Sequence, residues 1–419
     1  MAVPSCRSSW PNARHLPRGR SQAGAPPPQP QQARGQPPPT NFHTAVLSRR
    51  LGLREQLANA ALVLGMREVR GGVVNRPLVG LLREALDALP ASDSPLRARL
   101  LARLSLELTF SDETELVEPI SREAVELARR LGDAASLGGA LRARWMAVWG
   151  PDGLEERSAL AEETLRLAQA TGDQEMELSG RTRRVATSLQ SGDTRMVEAD
   201  ITACARLADE LPMPFHQWTA TTMRAMWALL QGSLDEAETL AEQARSLQPD
   251  GPNAFFAYND QLEMLRWVQG RPHELRQAWR DQVAQFPRFV YARVWVSLAD
   301  TEPGEAATTR SLLQFLADEL PNRPRDGLWP PAVAVAAVVA APARFGCRRS
   351  PLPGPAAVPN PGYRRHDAHP VMCFGSASFY LGLLATVTAR WAEAGDHFEA
   401  RDRRQRAAGG QAVAGPDPL

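Results

Sequence analysis

Two cysteines and two histidines late in the chain, Cys347, His366, His369 and Cys373, are spaced C-x18-H-x2-H-x3-C and are residues of zinc-ligand type. Zinc centres are normally built from tight pairs such as CxxC that frame a compact unit. Here one ligand stands at each extreme with a proline tract between them. The spacing therefore favours incidental residues in an irregular segment, and no metal is expected. His43, His216, His273 and His397 stand singly along helical patterns, where packing or surface roles account for them. The acidic pairs Glu162 and Glu163, and Asp235 and Glu236, are of the kind used in acid/base catalysis. They fall on polar helix faces or at helix starts, where attraction to the helix N-terminus explains them. No Ser, His and Asp order is supported by a GxSxG turn.

All 48 basic residues are arginine. Without lysine, neither a GxxxxGK[ST] phosphate loop nor a Schiff-base enzyme can be built. The expectation is a chain with no catalytic residue, no cofactor-binding residue and no cofactor, that is, not an enzyme. A formal net charge of +1 supplies no general field toward nucleic acid or an anionic membrane, so partners must be recognised locally. Four cysteines in 419 residues argue against a disulfide framework and fit a reducing compartment, so the expected location is cytoplasmic. The most apolar run, PPAVAVAAVVAAPA (330–343), is much shorter than the ~20 residues a membrane-spanning helix needs. No apolar signal segment precedes the N-terminal proline tract.

The elements that must position any site are helices. Residues 1–41 hold ten prolines, five arginines and no acid, a composition that cannot form a packed face. From about residue 44, amphipathic segments alternate with short breaks such as LGD, TGD, SGD, QGS and QGR, and no alternating strand pattern appears. The organisation expected is a disordered Pro/Arg-rich segment (1–41), a helical repeat array (44–342), an irregular Pro/Arg-rich segment (343–373), a C-terminal helical hairpin (374–407) and a disordered tail (408–419).

Repetition supports the array. EAVELARRLGD (123–133) and ETLRLAQATGD (163–173) align, and a small residue recurs as Ala128, Ala168, Ala208, Ala244, Ala284 and Ala317. In LDEAETLAEQARSL (234–247), Ala237, Leu240, Ala241, Ala244 and Leu247 share one helical face. A single hairpin cannot bury that face, whereas stacked hairpins form a continuous core. The fold expected is all-α, a right-handed α-solenoid of degenerate helical hairpins.

The stretch ALLQGSLDEAETLAEQARSLQPD (228–250) resembles a tetratricopeptide repeat, with Ala225, Gly232, Ala237, Ala244 and Pro249 at its marker positions. YLGLLATVTARWAEAGDHFEAR (380–401) is a second match through Leu381, Gly382, Ala394 and Phe398. Thr221 and Arg401 depart from the pattern. More broadly, GVVNRPLVGLLREALDALP, SPLRARLLARLSLEL and CFGSASFYLGLLA resemble the helical region C-terminal to the ATPase module of large bacterial LuxR-type and cyclase-linked signalling regulators. That resemblance implies a non-catalytic arm that docks a protein or peptide partner or senses a small effector. On the repeat template, Thr222, Met226 and Leu229 are candidates for a concave groove. Most of the nine tryptophans in the helical region are expected to pack between helices, and RDRRQR (401–406) to be a solvated helix end. Two other readings stand beside this one: a truncated piece of an ATPase-containing regulator with no activity of its own, and a helical nucleic-acid-binding protein, which the near-zero charge disfavours.

The proline-rich segment 347–373 occupies the place where the repeat ladder calls for another helix. Together with residues 1–41 it holds 16 of the chain's 35 prolines. Both stretches are therefore read as out-of-frame translation of GC-rich sequence, with a break in the array expected before residue 374.

Overall fold

A computed structural model describes residues 40–65, 73–285 apart from 212 and 250, a few positions between 326 and 337, and residues 368–407 apart from 370–371, 374–375 and 388–389. The described residues fall in the unit Asn41–Leu419, apart from Thr40, the first residue of α1. They are almost wholly helical. The helices are α1 (Thr40–Arg50), α2 (Arg54–Leu64), α3 (Arg76–Ala88), α4 (Pro95–Leu108), α5 (Val117–Leu131), α6 (Ala134–Ala147), α7 (Leu154–Thr171) and α8 (Gln174–Ser191). There follow α9 (Thr194–Glu210), α10 (Pro214–Gln231), α11 (Leu234–Leu247), α12 (Pro252–Val268) and α13 (Arg276–Gln285). Near the C-terminus lie two-residue strands β1 (Ala368–His369) and β2 (Met372–Cys373), then α14 (Ala377–Val387) and α15 (Trp391–Ala407).

The Gly-Asp breaks act as two-residue corners. Gly132, Gly172 and Gly192 end α5, α7 and α8 with φ of 67°, 69° and 83°, a left-handed geometry that glycine adopts without a Cβ penalty. The next residue caps the following helix: Asp133, Asp173 and Asp193 accept hydrogen bonds from the backbone N–H groups of Ser136, Met176 and Met196. Such a corner turns the chain back on itself, so consecutive helices must pack antiparallel.

The faces they bring together are the ones the repeat marks. Ala128, Ala168, Ala208 and Ala244 are all at most 3 % exposed, and their small size lets neighbouring helices come close. Ala284 breaks the ladder and is exposed. On α13 the buried side is set by Trp279, with Leu275 buried in the turn just before it, and Ala284, five residues past Trp279, falls on the opposite face. Ala317 lies outside the described residues.

Each helix from α2 to α13 packs on its successor, directly or through a short turn, and α2 on α4, α4 on α6 and α10 on α12 also meet. The core accordingly runs along the chain as linked clusters: α2–α4, then α4–α6, then α8–α10, then α10–α12. Fully buried leucines such as Leu82, Leu100, Leu141 and Leu189 anchor it, each worth about 1.5–3 kcal/mol of transfer free energy. α14 and α15 form a separate tight pair. At Gly382 an added Cβ would stand 2.5 Å from the Phe398 ring, so the two marker positions of the C-terminal repeat meet where α14 and α15 pack closely.

The tryptophans divide as packing predicts. Trp145, Trp218, Trp279 and Trp329 are buried, Trp149, Trp227 and Trp267 are partly buried, and Trp391 is 60 % exposed. Trp295 lies outside the described residues.

Most of the segment 343–373 also lies outside them, but its last residues do not. Ala368 pairs with Cys373 and His369 with Met372 in an antiparallel register, and the pair rests against α8, α10 and α12. The break expected before residue 374 therefore does not extend to these residues, which are part of the packed structure.

Candidate functional site

The face formed by α8, α10 and α12 collects the features a binding site needs. Its floor is apolar: Val185 and Leu189 of α8, Val197, Ile201 and Cys204 of α9, and Met223, Met226 and Leu230 of α10 form one cluster with Cys373. Met side chains suit such a floor because they are unbranched and polarisable and adapt to irregular surfaces. The three groove candidates lie along one stripe of α10 but do not share surroundings. Thr222 is 2 % and Met226 1 % exposed, and Met226 belongs to the floor. Leu229 is half-buried and packs toward α11 and α12, against the cluster of Ala225, Ala237, Leu240 and Leu265.

Polar groups are set into this floor. α12 carries the run Asn259, Asp260, Gln261 and Glu263, all at most 7 % exposed, in a position where a helix normally presents apolar residues. Gln261 donates from Nε2 to the Thr222 carbonyl at 2.8 Å, tying α12 to α10. The Thr222 hydroxyl and the Asn259 amide nitrogen are buried without hydrogen-bond partners, and the buried Glu263 carboxyl has the Trp279 indole as its polar neighbour. Burial and the neighbouring Asp260 push the Glu263 carboxyl well above its ordinary value of 4.5, while the nearby Trp279 indole N–H opposes the shift. The sequence signal for this cluster is the polar run NDQ-E between the apolar stretches FFAY and MLRWV, which was not singled out.

Arginine–carboxylate networks hold the helices that carry the floor. Asp200 of α9 is wholly buried and accepts from Arg181 Nη1 at 2.8 Å, Arg184 Nε at 2.7 Å and Arg184 Nη2 at 2.8 Å. Arg184 also reaches Glu162 of α7 at 3.1 Å, so one side chain joins three helices. Arg157 of α7, equally buried, donates to Gln190 of α8 at 2.7 Å and lies over the Trp145 ring. Arg266 pairs with Glu238, linking α12 to α11. The arginine–carboxylate pairs neutralise one another and set helix geometry.

The other sequence candidates are dispersed. His369 and Cys373 are on the paired strands, whereas Cys347 and His366 lie outside the described residues; among the described residues, no cluster of three or more His, Cys, Asp or Glu is placed to hold a metal ion. His43 and His273 are exposed, and His216 sits 3.7 Å from Glu175. Glu162 and Glu163 point to different arginines, Arg184 and Arg129. Arg401 stacks over Phe379, and Arg403 pairs with Glu399 at 3.1 Å. Among the described residues no helix is long and apolar enough to cross a membrane. No family model and no curated protein matches the chain.

Proposed function

We propose that this chain is a non-catalytic binding scaffold, a right-handed α-solenoid of degenerate tetratricopeptide-like hairpins whose even-numbered helices form the inner wall. Contacts of α2 with α4, α4 with α6, and α10 with α12 support that arrangement, since helices two apart approach one another on the concave side of such a stack. The ligand is a protein or peptide segment, and the biological setting is the docking arm of a bacterial LuxR-type or cyclase-linked regulator acting in the cytoplasm.

The observation that carries the proposal is the α10–α12 face. Buried polar groups are normally satisfied, and leaving them unpaired costs about 1–3 kcal/mol each. Thr222 and Asn259 carry a buried donor or acceptor with no intramolecular partner on the two helices that β2 covers, polar groups that a ligand taking the place of that cover would pair with. Panning a displayed random-peptide library on the full chain tests this. Peptides enriched on the native chain should bind a Thr222→Val, Asn259→Leu double variant about tenfold or more weakly, the equivalent of losing one or two hydrogen bonds. Undiminished binding to the double variant, or no enrichment on the native chain, refutes the proposal.

A further inference from the structure

The α8–α10–α12 face already holds a piece of extended chain. β1 lies against α8, and β2 against α10 and α12, so the short hairpin crosses three successive even-numbered helices. Its anchor is Cys373, 2 % exposed, in the same cluster as Met223, Met226 and Leu230. Met226 is thus at once a groove residue by the repeat template and a residue covered by a distant part of the chain.

Three physical points separate this contact from ordinary core packing. First, an isolated two-stranded pair is at best marginally stable, and this one has only two residues in each strand. Its order therefore comes from the helices beneath it. Second, those helices do not depend on it. α8 and α9 are joined by the Asp200–Arg181–Arg184 network and by their own apolar residues, and α10 and α12 by Gln261 and by packing on α11. Third, five prolines stand in the sequence between residues 347 and 367, a composition that bars a long helix as an alternative for this part of the chain. Extended chain is one of the forms in which peptide ligands are recognised.

We propose that the paired strands β1 (Ala368–His369) and β2 (Met372–Cys373) are a built-in occupant of the α8–α10–α12 groove, one that an external peptide must displace. This rests on the groove proposal above and deepens it: the ligand class becomes an extended segment with a short sulfur-bearing end like Met372-Cys373. A tethered ligand acts at an effective concentration on the order of millimolar. A tethered segment of about 100 μM intrinsic affinity then fills the groove about ten to one, and an external peptide binds the intact chain about tenfold more weakly than it binds an open groove.

The test uses a fluorescein-labelled peptide of residues 366–375 and two proteins: the full chain, and the full chain with residues 366–375 replaced by a Gly-Ser repeat. Fluorescence anisotropy is expected to show binding to the replaced chain and at least about tenfold weaker binding to the intact one. Equal binding to both overturns the built-in occupant and leaves the groove standing; binding to neither overturns both. Should the replaced chain fail to fold, native-state hydrogen exchange on the intact protein decides the matter. The backbone amides of Met372 and Cys373 should exchange at least about a hundredfold faster than those of α8 and α10, as for a segment that detaches by itself. Protection equal to that of α10 would make the segment an inseparable part of the core and overturn the inference.

Discussion

Replacing Asp200 by asparagine should destabilise the chain by about 3 kcal/mol. The carboxylate has no exposed surface and accepts three hydrogen bonds of 2.7–2.8 Å from Arg181 and Arg184. Breaking a buried ion pair by removing one partner costs about 3–5 kcal/mol, because the surviving charge is left uncompensated. The lower end applies here, since the Arg181 and Arg184 side chains keep 25 % and 19 % of their exposure and water partly screens them. Asparagine retains the shape while removing the charge and turning one acceptor into a donor aimed at a guanidinium. Urea denaturation followed by far-ultraviolet circular dichroism measures the loss. The Arg184→Met, Asp200→Leu double variant should cost less than the sum of the Arg184→Met and Asp200→Leu single variants, because the Arg184–Asp200 pair is removed together while Arg181 keeps Glu177. A loss below about 1 kcal/mol for Asp200→Asn, or strict additivity in the double variant, would refute the view that this network fixes α8 against α9.

Thr222→Val should raise stability by about 1 kcal/mol in the same assay, since it removes an unpartnered buried hydroxyl at nearly constant shape; a loss of that size would show that the hydroxyl has a partner. Gly192→Ala should cost about 1–2 kcal/mol because of its φ of 83°, whereas Gly139→Ala, in the interior of α6 with open space around the new methyl group, should gain about 0.5–1 kcal/mol. Glu263 is raised in the fold, so its contribution is fully present below the ordinary value of 4.5 and is lost as pH climbs toward the folded value. The stability difference between Glu263→Gln and the native chain should therefore widen in favour of the variant above pH 4.5, and a pH-independent difference would contradict the burial of that acid. Burial pushes the Cys204 thiol up to about 12, so mass spectrometry after brief alkylation of the native protein should find it unmodified until denaturant is added.

What could be read in the sequence alone is whatever short-range physics decides. The Gly-Asp corners are legible because a left-handed glycine and a side-chain cap act within four residues. The buried alanine ladder through Ala128, Ala168, Ala208 and Ala244 is legible because helical period and burial coincide. The absence of lysine excludes whole chemistries without any coordinates. Ala284 shows where this ends: the marker spacing continued, but the face α13 buries was set by Trp279 and the helices around it. Only the tertiary structure brings Asp200 between Arg181 and Arg184, parts Leu229 from Met226, buries the polar run of α12, and returns Cys373 to the floor of α8 and α10. Those contacts join residues far apart in the chain, and they depend on the path of each loop and the rotation between hairpins. Neither quantity is written into any local stretch, so the helices follow from the sequence and the groove, with the chain lying in it, follows from their packing.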